Sequence, residues 1–402
     1  MNNERGLTWR LAKLGLSSRA RLYSGIRFGF HRLVSIPYHR RLGHDTLPLP
    51  ANINIIPTYR CNLKCVMCSQ RAGRTHDADS PPWYDPKREI TVEQWIPFLD
   101  QISTFRPIIY WSGGEPLMYP GFKDLVHQIK KRKLIVHMAT NGVLLPNVAE
   151  YLVKEGIEGI SISLDGPPEV HDRVRGVKGA FNGAAEGAKA LVEARRAAKA
   201  PGPTLSFAFT ITKPSYQGLE EAVEHAIAMN GDFFQVGHVG FKPLDFVARH
   251  NSIFSEQGAK EMGLKMDFPA IRENTCYEPG MEEEDIENLA KIIDRTKRLA
   301  KRRIRLSFVP PVPFDLIGPY YRDMDYPFVE RCDYFWTAFS VGPDGRVSPC
   351  LNFLAGNITE NTMEELWNGE TMRRLRKLFR DGLLPGCIRC CHRYYSKTSP
   401  CF

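Results

Sequence analysis

The chain has 402 residues, of which 43% are hydrophobic and 25% charged, and its formal net charge is +9. This is the composition of an ordinary folded protein with two or three domains. The longest apolar runs fall far short of the ~18 residues that a membrane-spanning helix needs, and the N-terminus lacks a signal-peptide pattern, so we expect a cytoplasmic protein. Residues 1–50 hold nine Lys or Arg against Glu4 and Asp45, which leaves the main body nearly neutral and argues against a nucleic-acid partner.

The first predicted element is a basic, helical N-terminal arm, residues 1–50. Between Leu7 and about His39, apolar residues recur at roughly helical spacing among arginines. One interpretation is a segment lying on an anionic membrane surface, where each basic residue contributes about 1 kcal/mol. The other is one or two helices packed over the bottom of the next domain, with their charges facing water.

Strand-like and helix-like segments then alternate across residues 51–240. This rhythm predicts an α/β fold, a partial (β/α)6 TIM-like barrel whose active site lies at the carboxyl ends of its strands. The predicted strands are 53–58, 108–111, 134–139, 159–164, 205–212 and 233–239. The predicted helices are 92–105, 121–132, 148–155, 184–198 and 219–229.

The alternation stops in residues 241–331, which we predict as an irregular and helical connecting region. It contains a long helix ending near Lys301 and a proline-rich aromatic run. It either lines a substrate pocket or links two domains. Residues 332–402 are predicted to form a small α+β domain, with a hairpin over 338–347 and a helix over 363–380.

Ten cysteines are too many for chance packing, and disulfides are disfavoured in the cytosol, so clustered cysteines indicate metal ligation. Cys61, Cys65 and Cys68 lie in one loop directly after the first strand. Soft thiolates select iron-sulfur clusters or zinc, and three ligands leave one iron of a four-iron cluster open for chemistry. Zinc with a distant fourth ligand is the alternative. Cys276 stands alone and is expected to be a small buried apolar group.

The spacing Cys61-x3-Cys65-x2-Cys68 after a first barrel strand resembles that of the radical S-adenosylmethionine (SAM) superfamily. In that family the three cysteines hold a 4Fe-4S cluster whose open iron binds SAM. Reduction cleaves SAM to a 5'-deoxyadenosyl radical that abstracts a substrate hydrogen. The resemblance therefore implies SAM and this cluster as cofactors, and an electron donor such as flavodoxin or ferredoxin as partner.

Three further segments resemble SAM-binding elements of that family and follow successive strands. They are the SGGEP sequence at residues 112–116, the TNG sequence at 140–142, and the polar stretch 161–176. By this resemblance, the SAM-binding residues are Gly113, Gly114, Glu115, Asn141, Ser163 and Arg175.

The C-terminal cysteines resemble the auxiliary-cluster module called a twitch domain, which is related to the larger SPASM domain. The resemblance rests on Cys332-x17-Cys350 and on Cys387-x2-Cys390, and it implies that these four bind a second 4Fe-4S cluster. Whether Cys390 or its neighbour Cys391 is the fourth ligand stays open. The run of further cysteines that a full SPASM domain has is missing after Cys390, where only Cys391 and Cys401 remain. A zinc-ribbon-like staple is the alternative.

The resemblance predicts the initiating chemistry and leaves the substrate open. Our main expectation is a radical SAM oxidoreductase, or a related modifying enzyme, acting on a small-molecule or lipid-like substrate. We base it on the absence of a peptide-recognition domain before the barrel and on the basic arm, which suits a membrane surface. The alternatives are a maturase for a ribosomal peptide or protein, and a non-catalytic metal scaffold. Asp232, His238 and Lys242, beside the sixth strand, either face a pocket or provide surface polarity.

Overall fold

The computed structural model describes residues 19–68, 85–238, 240–241, 243–266, 280–324, 326, 332–350, 353–380 and 382–390. Within them, ten strands form one sheet. The strands are β1 (Asn52–Ile55), β2 (Ile108–Trp111), β3 (Ile135–Thr140), β4 (Gly159–Ser163), β5 (Thr204–Ile211), β6 (Phe233–His238), β7 (Arg305–Val309), β8 (Ser340–Val341), β9 (Arg346–Ser348) and β10 (Gly356–Asn357). Their order across the sheet is β10-β9-β8-β1-β2-β3-β4-β5-β6-β7.

Helices lie between the strands along the chain, and further helices precede β1 and follow β10. They are α1 (Arg19–Phe30), α2 (Ile36–Arg41), α3 (Val92–Ser103), α4 (Phe122–Lys131), α5 (Ala149–Glu155), α6 (Pro168–Arg175), α7 (Ala180–Ala197), α8 (Leu219–Ala228), α9 (Leu244–Ile253), α10 (Glu256–Glu261), α11 (Glu283–Ala300), α12 (Ile317–Arg322), α13 (Tyr334–Thr337), α14 (Met363–Asn368) and α15 (Glu370–Leu378). No helix among the described residues is long and apolar enough to cross a bilayer.

Strands β1 to β7 run parallel, which confirms the predicted α/β partial barrel. The buried face of each strand packs on the helices through apolar residues, among them Val136 and Met138 of β3 and Phe207 and Phe209 of β5. Burying each such side chain contributes about 1.5–3 kcal/mol. The bounds of five predicted strands and five predicted helices differ from the structure by a few residues at most, whereas β1 ends at Ile55 rather than at 58.

The barrel extends beyond the predicted end at residue 240, since β7 pairs in parallel with β6 from Phe233↔Arg305 to Gly237↔Val309. The long helix α11 forms the crossover to it. Sequence analysis had placed this strand in the connecting region. As an edge strand, β7 is half exposed along most of its length, so it lacks the buried apolar pattern by which the other six strands were recognised.

The C-terminal module is joined to the barrel by the same sheet. β8 pairs in parallel with β1, and β9 pairs antiparallel with β8 in the predicted hairpin. The single predicted helix 363–380 is two helices, α14 and α15, which meet at Gly369. A Cβ atom at this glycine would lie 2.1 Å from the Glu365 carbonyl oxygen, so the close turn requires glycine.

The N-terminal arm is a helix that runs from Arg19 to Arg41 through a π-helical turn, His31–Ser35. Its contacts lie at the amino-terminal ends of the strands. Ser24 donates a hydrogen bond to the Arg106 carbonyl before β2, and His31 bonds the Trp336 carbonyl before β8. The arm therefore crosses the bottom of the barrel, opposite the end that carries Cys61. Residues 1–18 lie outside the described residues.

Candidate active site

The loop with the first three cysteines is docked on the end of α6. The amide of Lys64 donates to the Arg175 carbonyl over 2.8 Å, and the amide of Val66 donates to the Val174 carbonyl over 2.9 Å. Gly176 follows α6 with φ +68°, and a Cβ there would lie 2.3 Å from the Lys64 carbonyl oxygen. Only glycine permits so close an approach of the two backbones. The polar stretch 161–176 therefore supports the cysteine loop.

Arg175 connects this loop to the barrel. Its Nη1 lies 3.6 Å from the Sγ of Cys65, and its Nε donates to the Oδ2 of Asp165 over 2.5 Å. Asp165 is fully buried, and its other oxygen accepts the Thr210 amide over 2.9 Å. Burial lowers the pKa of Arg175, but Asp165 and Cys65 outweigh it and hold that pKa above its usual value. A fixed cation thus faces the thiol of Cys65.

Glu115 organises the neighbouring strand ends. Its buried carboxylate accepts hydrogen bonds from the Thr140 hydroxyl at 2.7 Å and from the Asn141 amide at 2.8 Å. Asn141 in turn donates to the Asn62 side chain in the cysteine loop over 2.7 Å. The SGGEP and TNG elements and the cysteine loop therefore form one hydrogen-bonded unit, as the order of the motifs along the chain suggests.

Gly113 and Gly114 contact the chain itself. A Cβ at Gly113 would lie 2.5 Å from the Thr58 carbonyl oxygen, and one at Gly114 would lie 2.2 Å from the Arg60 carbonyl oxygen. The glycines therefore let the SGGEP turn pack on the backbone that leads to Cys61. In the structure they thus support the loop that carries the first thiol, and their predicted role in SAM binding stays a prediction.

Ser163 belongs to a row of small and polar residues on the inner face of the sheet. Ser163, Ala208 and Gln235 are direct neighbours across β4, β5 and β6, and Ser307 of β7 continues the row. These residues are half-buried, unlike the apolar residues on the other face. A closed barrel fills this space with Val, Ile and Leu. Here small and polar side chains take their place on the inner face. We call the space that this face borders the cavity, and the cysteine loop lies at the carboxyl ends of the strands that line it.

Burial keeps two thiols of the first set, those of Cys61 and Cys65, protonated in the metal-free chain. It raises the pKa of Cys61 to about 12, and it raises the pKa of Cys65 although Arg175 acts in the opposite direction. Thiolate forms in such a place when a metal displaces the proton. Three soft donors on one loop, with a cation opposite, fit a cluster with one open iron.

Among the described residues no three Cys, His, Asp or Glu side chains lie close enough to hold one metal ion, but the second set of cysteines lies in one region of the C-terminal module. Burial raises the pKa of Cys387, and the nearby thiols of Cys350, Cys390 and Cys332 add to this effect. The four predicted ligands therefore lie within mutual electrostatic reach. Their number fits a fully ligated four-iron cluster. Cys276, Cys391 and Cys401 lie outside the described residues, so the choice between Cys390 and Cys391 stays a prediction.

Arg389, inside the Cys387-x2-Cys390 sequence, is a residue that sequence analysis missed. It is buried, and its guanidinium donates to the Tyr320 carbonyl at 2.7 Å and to the Asp323 carbonyl at 2.5 Å. It also lies 5.0 Å from the centre of the Tyr320 ring. Arg389 thereby fixes the CxxC turn to α12 beside β7. A buried arginine has no sequence signature of its own.

Replacing Arg389 by Ala is expected to prevent the second cluster from binding. Without the guanidinium, the CxxC turn loses its attachment to α12 and the carbonyls lose their donors. We expect anaerobically reconstituted protein to lose about four irons while SAM still binds. The iron content of Arg389→Lys should lie between those of the native protein and of Arg389→Ala, since lysine keeps the charge but lacks the planar guanidinium group. The exposed Arg373→Ala is the matched control, and equal iron contents in all variants would contradict the assignment.

A polar contact links the cavity to the second cysteine set. Tyr334 is buried, and its hydroxyl lies 3.0 Å from Asn54 Nδ2 on the inner face of β1 and 2.9 Å from the Ser340 hydroxyl. Burial raises the pKa of this hydroxyl, and the charges of Cys350 and Cys332 add to the rise. Tyr334 thus lies between the barrel interior and the C-terminal cysteines.

The other polar candidates lie away from the cavity. Asp232 precedes β6 at the bottom of the barrel, where it pairs with Arg195 at 3.1 Å. His238 projects from the outer face of β6 and bonds the Tyr321 hydroxyl at 2.8 Å. Burial lowers the pKa of His238 to about 3, so it stays neutral. These contacts explain both residues as structural. Lys242 lies outside the described residues.

The pH dependence of stability tests the burial of Glu115. Burial raises its pKa to about 7, although its hydrogen bonds oppose the rise. The folded metal-free protein therefore binds a proton that the unfolded chain releases, so this stability is present below about pH 4.5 and lost as the pH rises through 7. Between pH 5 and 8, we expect the free energy of unfolding to fall by up to about 3 kcal/mol more than in Glu115→Gln. Urea unfolding measures this, and equal slopes would contradict it.

Comparison with known proteins agrees with this arrangement. The Radical SAM superfamily model matches residues 55–233, and the model of the SPASM iron-sulfur cluster-binding domain matches residues 332–391. The AdoMet-dependent heme synthase of Methanosarcina barkeri is 29% identical over 330 residues, which cover 79% of this chain and 82% of that protein. The PqqA peptide cyclase of Granulibacter bethesdensis is 26% identical over 205 residues, 49% of each chain.

A solved structure has the same fold. Streptococcus suis SuiB, bound to its precursor peptide SuiA, superposes with a TM-score of 0.56 at 17% identity, covering 83% of this chain and 67% of that one. Each family match covers one of the two sets of predicted cysteine ligands. The chain is therefore a radical SAM superfamily enzyme with a C-terminal SPASM domain, and its cofactors are SAM, a SAM-binding 4Fe-4S cluster and an auxiliary iron-sulfur cluster.

Proposed function

We propose that the enzyme is a maturase that modifies a peptide or protein side chain by hydrogen abstraction. The observation that carries this proposal is the polar inner face of the open barrel. Its residues beside the cysteine loop are neutral donors and acceptors or small, as in the row from Ser163 to Ser307. Such a lining suits the amide groups of a polypeptide, which need hydrogen-bond partners when they leave water.

The relatives support a peptide substrate more than our first expectation of a small or lipid-like molecule. PqqA peptide cyclase acts on a peptide by its name, and SuiB binds a precursor peptide. The hypothesis of a lipid-like substrate also loses support, because the arm on which it was based lies at the bottom of the barrel, at the opposite ends of the strands from the cysteine loop. The AdoMet-dependent heme synthase matches along 82% of its own length, which keeps a tetrapyrrole as the second candidate.

In this proposal Cys61, Cys65 and Cys68 hold the SAM-binding cluster. Reductive cleavage of SAM there supplies the 5'-deoxyadenosyl radical. Arg175 keeps Cys65 and the loop in place and offsets the negative charge of the thiolates. Glu115 holds the strand ends against which SAM binds.

We further propose that Cys332, Cys350, Cys387 and Cys390 hold the auxiliary cluster. Four cysteine ligands saturate it, which suits electron transfer better than substrate ligation. The hydrogen bond between Asn54 and Tyr334 joins the region around these four cysteines to the inner face of the barrel. A separate reductant, such as flavodoxin or ferredoxin, would deliver the first electron.

The substrate class is tested with anaerobically reconstituted enzyme, SAM and dithionite. Short peptides encoded beside the gene are compared with coproporphyrin-type tetrapyrroles. We expect a peptide to stimulate 5'-deoxyadenosine release and to change in mass, and a peptide deuterated at the modified position to transfer deuterium to the nucleoside. Stimulation by a tetrapyrrole, with every peptide unchanged, would reject the maturase in favour of the second candidate.

A cavity variant sharpens this test. Gln235→Leu keeps the size of a half-buried inner-face residue and removes its amide. We expect its KM for the peptide to rise about tenfold, the cost of one hydrogen bond of about 1.4 kcal/mol, with SAM cleavage in the absence of substrate unchanged. The matched control is Gln257→Leu, an exposed position on α10. Equal KM values for both variants would exclude Gln235 from the binding site.

A further inference from the structure

The N-terminal helix packs on the barrel with its polar face. Ser24, His31 and Ser35 are buried. Arg27 donates from Nη1 to the Pro50 carbonyl over 3.0 Å, and Arg40 pairs with Asp333 of the C-terminal module. An ordinary surface helix buries its apolar stripe and exposes its charges. This helix instead buries Ser24, His31 and Ser35 and exposes most of its large hydrophobic side chains, although Ile36 is buried and Arg41 is exposed.

Its apolar face points outward as a continuous stripe. The exposed large hydrophobic residues along the helix and just after it are Leu22, Tyr23, Ile26, Phe30, Leu33, Val34, Tyr38 and Leu42. Their spacing of three to four residues places them on one side of the helix. Ile26 is 63% exposed and Leu33 is 75% exposed. Elsewhere in the described residues, four large hydrophobic side chains are exposed, and they are scattered.

Charge indicates what covers this stripe. Residues 1–50, which include the stripe, carry nine Lys or Arg against two acidic residues. A second copy of the chain would bring the same positive charge against it, which disfavours a symmetric dimer. An anionic lipid surface offers both the apolar layer and the opposite charge.

We propose that this stripe, which we call the arm stripe, docks the enzyme on an anionic phospholipid bilayer. The helix lies along the membrane interface, and the bottom of the barrel faces the lipid. The cysteine loop is at the other ends of the strands, so it faces the aqueous side. The enzyme thus takes its substrate from water or from another protein rather than from the bilayer beneath it. The proposal does not depend on the substrate class.

The test uses the full-length reconstituted enzyme and sedimentation with vesicles. We expect binding to vesicles of phosphatidylcholine and phosphatidylglycerol, weaker binding to phosphatidylcholine alone, and weakening by salt. The double variant Ile26→Glu with Leu33→Glu should bind at least about tenfold more weakly, since two charged side chains then replace apolar side chains that enter the lipid in the bound state. Both positions are exposed, so the fold and the iron content should stay unchanged. Leu244→Glu, at a 53% exposed position away from the arm, is the control.

Tryptophan reporters test the orientation. Leu33→Trp should be quenched by brominated lipid, whereas Phe314→Trp, at an exposed position elsewhere, should not. Quenching at the second site alone would overturn the orientation. Failure of the native enzyme to bind anionic vesicles, or undiminished binding by the double variant, would overturn the proposal. So would a dimer in light scattering that the double variant converts to a monomer, because a second copy would then cover the stripe.

Discussion

Replacing Cys61, Cys65 and Cys68 together by Ala is expected to abolish SAM cleavage and to remove about four of about eight irons from the reconstituted protein. The reason is that all three predicted ligands of the first cluster lie on one loop, while the second cysteine set is joined to α12 by Arg389. Anaerobic iron and sulfide counting, with assay of 5'-deoxyadenosine, measures both effects.

A matched triple variant completes this experiment. Cys332, Cys350 and Cys387 replaced by Ala should lose the other irons and keep the SAM cluster, because the two sets belong to separate parts of the structure. If the first variant loses all of its metal, or if the native chain fills with zinc, the assignment of the two clusters is wrong.

Replacing Arg175 by Met is expected to destabilise the protein by about 3–5 kcal/mol, because it leaves the fully buried carboxylate of Asp165 without its cation. The hydrogen bond from the Thr210 amide remains but does not neutralise the charge. Urea unfolding of the metal-free protein measures the loss. A change below about 1 kcal/mol would show that the ion pair does not form.

A double variant separates the structural part of this effect from the part at the cluster. Asp165→Asn combined with Arg175→Met removes both charges, so most of the stability should return. The contact with Cys65 stays absent, and the reduction potential of the SAM cluster should therefore be lower than in the native protein. A redox titration followed by electron paramagnetic resonance measures this. An unchanged potential would limit Arg175 to a structural role.

The sequence was sufficient for the parts of the fold that depend on local pattern. The strands of the barrel centre have a buried apolar face, and the helices between them have a 3.6-residue period, so both were predicted to within a few residues. The edges were harder. β7 is half exposed, and β10 at the other edge has two residues, so neither gives a pattern that differs from a loop.

In the candidate site, too, the sequence predicted the residues that belong to a local pattern and missed those that do not. The three-cysteine spacing and the motifs after successive strands predicted which residues meet, and Glu115, Asn141 and Arg175 do lie around the cysteine loop. Sequence analysis missed Arg389 and Tyr334, since their partners lie far away along the chain. One of its two interpretations of the arm placed the charges toward water. The structure buries Arg27 and Arg40 in part, because backbone carbonyls and Asp333 accept their hydrogen bonds.

The pairing of β8 with β1 has a consequence for how the protein is made. β1 precedes the first cysteine, and its second neighbour in the sheet is supplied by residues 340–341, which are synthesised much later. Until these residues leave the ribosome, one edge of β1 has open backbone groups that attract other strands. A chain cut at residue 331 would keep that edge exposed, so the barrel expressed by itself should aggregate, and the two clusters are best loaded into the finished polypeptide.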